Sequence, residues 1–156
     1  MEYTFFYISA AFMLLLLVIT ACFRKINAAA VITGMVSVGY SAIFDTTFGD
    51  RLGLYYYISP SVSSLYYILS AVFIYFVSNI IFLVFLPENP GRLIMYTILW
   101  IAGMLLFEYV SLLTRTIVFT GWRMFPWSPL AYIVTYAWLI LLYRYLGRRI
   151  KTAQPC

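Results

Sequence analysis

The placement of charge constrains this chain more than any other feature. Ten basic and five acidic residues are spread over 156 positions, and nearly all of them stand in short clusters between long uncharged apolar stretches. A run such as Tyr3 to Phe23 is long enough, at 1.5 Å per helical residue, to cross a hydrocarbon layer about 30 Å thick. Only 10% of the residues are charged and 65% are hydrophobic, whereas a soluble domain carries about 25% charged residues. A globule of this length buries about two-thirds of its surface, so in water much of that apolar content would be exposed. Lipid is the solvent that removes the conflict.

The reading that follows is all-α: a single polytopic transmembrane helix bundle of five spans, at about 3–23, 26–44, 65–86, 93–113 and 130–146. Ile19-Thr20-Ala21-Cys22 looks like a lipoprotein cleavage box, but the basic pair Arg24-Lys25 follows the first run instead of preceding it, so the run reads as an uncleaved helix. The stretch from Asp45 to Ser64 turns polar and aromatic and reads as an interfacial loop. Pro87-Glu88-Asn89-Pro90-Gly91 is a tight turn that makes spans three and four antiparallel neighbours. Gly121 to Pro129, with two Trp and two Pro, reads as a rigid segment at the membrane surface.

Orientation follows from the basic residues, which are retained on the cytoplasmic side of span ends. Arg24, Lys25, Arg92, Arg144, Arg148, Arg149 and Lys151 fall on one side, and Arg51, Arg115 and Arg123 on the other. Five spans then place the N-terminus outside and the C-terminus in the cytoplasm.

Several function classes lose their means. With no His and only two Cys, the chain lacks the residues for Cys/His zinc sites, Ser-His-Asp triads and histidine switches. The basic residues form no patch interleaved with exposed aromatics, so nucleic acid is not an expected partner. No cofactor, metal or catalytic residue is expected. Cys22, beside Arg24-Lys25, is either a buried thiol or a palmitoylation site; Cys156, as the last residue, is not in a prenylation box.

Polar residues within the apolar runs are the places where a function can sit. Glu108 is the one carboxylate inside a span, and an ionisable group there costs about 2.5 to 3.5 kcal/mol at mid-span unless it is paired or used. It is expected to face the bundle as a structural hydrogen-bonding group or as a proton or cation site, with Asn79 and Arg115 as its candidate companions. Asn27 and Asn79 read first as interhelical glue. Ala29, Thr33, Ser37 and Ser41 recur every four residues along span two, a spacing that lets helix backbones approach closely. Span two is therefore expected to be the most enclosed helix. Asp45, Asp50 and Arg51 read as a solvated loop, with an acid/base or metal pair as the sharper alternative.

Leu54-Tyr55-Tyr56-Tyr57-Ile58-Ser59-Pro60, Phe85-Leu86-Pro87, Trp100, Glu108 and Gly121-Trp122 together resemble a family of small uncharacterised membrane proteins of spore-forming Gram-positive bacteria. The resemblance implies a Gram-positive cytoplasmic membrane and carries over no catalytic residue. Two functional expectations stand side by side. One is a non-enzymatic structural or regulatory component that packs, through the small-residue face of span two, against a second copy or an envelope partner. The other is a small transporter or channel subunit with Glu108 in a proton or cation path.

Overall fold

A computed structural model describes residues 2–152; Cys156 lies outside the described residues. Five helices account for most of the chain, and each is long and apolar enough to cross a membrane: α1 (Glu2–Phe23), α2 (Ala28–Asp45), α3 (Ser63–Val84), α4 (Pro90–Leu113) and α5 (Met124–Thr152). The protein is thus an all-α, multi-pass bundle. Two short strands, β1 (Tyr55–Tyr57) and β2 (Ile117–Phe119), join the α2–α3 and α4–α5 connections into an antiparallel ribbon with Tyr55 opposite Phe119 and Tyr57 opposite Ile117.

Local chemistry fixes the helix ends. Asn27 caps α2, its side chain accepting from the Ala30 amide at 2.8 Å, and its Nδ2 donates to the Tyr143 hydroxyl at 2.9 Å. Asn89 caps α4 by accepting from the Gly91 and Arg92 amides, with Pro90 in the first turn where its missing N–H costs nothing. The connection into α4 is short, and α3 meets α4 through side chains: Phe82 stacks on Tyr96 at 5.2 Å, and the Tyr96 hydroxyl donates to the Phe82 carbonyl.

The loop expected over 45–64 is more ordered than its composition implies. Thr46–Arg51 continues α2 as a wider π-helical turn, in which the Leu52 amide reaches the Thr47 carbonyl. β1 and a tight turn follow. Gly49 is required here because a Cβ would overlap the Tyr67 hydroxyl, which donates to the Tyr55 carbonyl. The last helix runs well beyond 130–146 at both ends, with a break at Phe125 where φ is −110° and ψ is 131°.

Span two is not the most enclosed helix. In α3, 61% of the apolar stretch is buried, against 33% in α2. α3 stands at the centre with α1 and α2 packed on it, and α5 packs against both α2 and α4. The α2 stripe does face inward, with Ala29, Thr33 and Ser37 buried and Ser41 half-buried. The neighbour it meets is α3 of the same chain: a Cβ on Gly34 would lie 3.0 Å from Phe76 and 3.1 Å from Ile80. Small residues on one helix let a large aromatic on the next come close, and the helix that supplies the large side chains is the one that ends up surrounded.

Candidate functional site

Two cores fill the bundle. One gathers Phe6, Tyr66, Tyr67 and Ile74 beneath the ribbon residues Tyr55, Tyr57 and Ile117. The other packs Phe82, Leu83, Met104, Tyr136 and Leu139 toward the opposite end. Between them, walled by α2, α3, α4 and α5 and roofed by the ribbon, lies a cavity of about 110 Å³.

Two carboxyl groups reach this cavity. Glu108, on the penultimate turns of α4, is buried, as expected, and accepts from the Ser128 hydroxyl at 2.5 Å. Ser128 in turn accepts from the Trp122 indole N–H at 3.0 Å. Tyr132, one turn beyond Ser128 on α5, lines the same cavity, as does Tyr75 on α3. Tyr75 then meets the Tyr57 hydroxyl at 3.4 Å. The phenols of Tyr132, Tyr75 and Tyr57 thus line the cavity that holds Glu108.

Asp45 is the second carboxyl, and its place corrects the reading of a solvated loop. It sits on the last turn of α2, 5% exposed, accepting from the Tyr55 hydroxyl at 2.7 Å and from Ser41 at 3.3 Å. Burial, with the Asp45 carboxyl alongside, holds the Tyr55 phenol well above the usual phenol range. Tyr55 therefore keeps its proton and serves as a donor. Asp50 and Arg51 do stay exposed, Asp50 accepting from Ser64 at 3.0 Å.

The companions expected for Glu108 part ways. Asn79 lines the same cavity and donates to Ser37 Oγ at 2.9 Å, while Ser37 donates back to the Gly34 carbonyl at 2.6 Å. This bond ties α3 to the small-residue stripe of α2. Arg115 is not part of the site. It sits just past α4 with φ 57°, exposed, and lines a separate hollow beside Glu2 and Tyr56. The helix ends at Leu113, so Arg115 is not carried on the helical face that presents Glu108. Cys22 is exposed at the far end of α1.

Sequence reasoning named Asp45 only as one of a pair with Asp50 in the loop, and missed Tyr55, Tyr57, Tyr75, Ser128 and Tyr132 as members of this site. A signal for the α5 members was present: Ser128, Tyr132 and Tyr136 recur every four residues and all face the cavity. Tyr55 and Tyr57 likewise share one face of a strand by period two. Tyr75 closes a π-helical turn, Ala71–Tyr75, whose extra residue shifts the helical register and had no signature in the sequence.

The lining supplies two carboxyl groups, hydroxyl donors and many aromatic faces, and it contains no Lys or Arg. Among the described residues no three Asp, Glu or Cys side chains converge as a metal cage would need. No protein-family model, curated protein or solved structure matches the chain.

Proposed function

We propose that this is a small membrane-embedded binding or transport protein whose cavity takes a cation, with Glu108 as the group that answers its charge. The observation that carries the reading is the pairing of Glu108 and Asp45 on one cavity that no basic residue lines. An intramembrane carboxyl group is expensive to bury, and its persistence signals a partner or a use. Here the donors to both groups, Ser128, Tyr55 and Ser41, are neutral. Aromatic faces around the cavity add attraction for a desolvated cation of about 2 kcal/mol each.

The alternative of a non-enzymatic component that packs through the α2 stripe has less support, because α3 of the same chain fills that face. Neither reading calls for an enzyme. The basic asymmetry of the span ends supports an N-terminus outside and a cytoplasmic C-terminus, which places the cavity toward the outer face. A Gram-positive cytoplasmic membrane rests on the residue resemblance described above.

The test is flux in proteoliposomes, loaded in turn with protons, alkali cations and small ammonium ions. Wild type is expected to pass or retain at least one of them. Glu108→Gln, which keeps an acceptor for Ser128, is expected to assemble normally and lose that activity. Wild-type liposomes inactive toward every cation, with Gln and Leu variants both assembling normally, would leave the carboxyl group without this role.

A further inference from the structure

The cavity does not end at its carboxyl groups. Tyr40, Phe44, Trp122 and Ala131 form its wall and also the wall of a second hollow of about 460 Å³ between α2 and α5. The outer lip of that hollow is Trp127, Leu130 and Val134, each 51% exposed on the lipid-facing side of α5. Toward the water the ribbon closes the roof, with Tyr55, Tyr57 and Ile117 all buried. The side of the cavity away from the ribbon that borders an open groove is therefore this shared wall, in which Phe44 and Trp122 meet edge to face at 5.9 Å, and across it the lining changes from apolar groove to acidic, aromatic chamber.

We propose that the occupant is a single-chain organic cation, an alkylammonium, that enters laterally between α2 and α5. Its head sits against Glu108 among aromatic faces and its stem stays in the groove. This rests on the cation-binding reading above and adds the class of ligand and its route. The polarity gradient selects the ligand. A hydrated alkali ion leaves the apolar groove without purpose, and a neutral or anionic lipid leaves the carboxyl groups unanswered. Aromatic walls suit an alkylated ammonium in particular, because its charge is spread over methyl groups that pack on ring faces.

Binding of radiolabelled decyltrimethylammonium to the full chain in nanodiscs of uncharged glycolipid tests this, counting only what Glu108→Gln discs fail to retain. Tetramethylammonium is expected to displace the probe at least tenfold less effectively than unlabelled decyltrimethylammonium, and decanol not to displace it. Val134→Trp, which fills the groove from an exposed position, is expected to bring the two ammonium ions to within about twofold of each other. Equal displacement by tetramethylammonium in wild type would overturn the lateral, amphiphilic ligand while leaving a cation site. Displacement by decanol would show a groove for lipid tails. Absence of any Glu108-dependent retention, for long and short ammonium ions alike, would remove both readings.

Discussion

Asn79 and Ser37 show how one polar pair positions a cavity wall. The Asn79 amide has its partner on a neighbouring helix, and such bonds in membranes contribute about 0.6 kcal/mol on average. Removing the acceptor while leaving the donor buried costs more, about 1 to 3 kcal/mol. Ser37→Ala is therefore expected to lower unfolding stability in mild detergent by more than Asn79→Leu does, although it removes a single atom, because only the alanine variant strands a buried amide. Chemical unfolding monitored by Trp fluorescence checks the order; equal losses would mean that the bond is not the tie described. Glu108 was legible in the sequence because a carboxylate interrupts an apolar run there. The burial of Asp45 was not, because it lies among residues that read as loop. Its burial depends on Tyr55 folding back over it through the ribbon, a contact between strand and helix that no local pattern encodes. Tyr55→Phe removes the donor at 2.7 Å and is expected to destabilise by about 1 to 3 kcal/mol.

At the scale of elements, the spans were readable from the length of apolar runs, and their ends from caps such as Asn27 and Asn89. What escaped were the features set by tertiary packing. The ribbon is two strands of three residues each, too short to announce themselves, and it forms because Tyr55–Tyr57 and Ile117–Phe119 are brought together by the helices flanking them. Enclosure was misassigned to α2 because small residues mark a close approach without saying which helix is surrounded. Gly49 holds the ribbon end together. Gly49→Ala is expected to push Tyr67 from the Tyr55 carbonyl and loosen the roof of the cavity. Faster hydrogen exchange at the amides of 55–58, with exchange in α4 unchanged, is the expected signature. Protection equal to wild type would show that Tyr67 gives way without consequence.

The whole molecule is a bundle that surrounds α3, leaving α1, α4 and α5 with only 17%, 11% and 17% of their apolar stretches buried. The apolar faces that the fold leaves open are those a bilayer would cover. For the orientation proposed from the basic residues, a cytoplasm-dependent fluorescent reporter is expected to stay dark at the N-terminus and shine at the C-terminus; the reverse pattern would invert the topology. The central claim is that Glu108 stands in a lipid-accessible cavity in the place of a cation's counter-charge. Dicyclohexylcarbodiimide, an apolar reagent that reaches carboxyl groups from the bilayer, measures this directly when the adducts are located by mass spectrometry. The account predicts modification at Glu108 that decyltrimethylammonium suppresses and decanol does not. An unmodified Glu108, or modification that no ammonium ion slows, would contradict it.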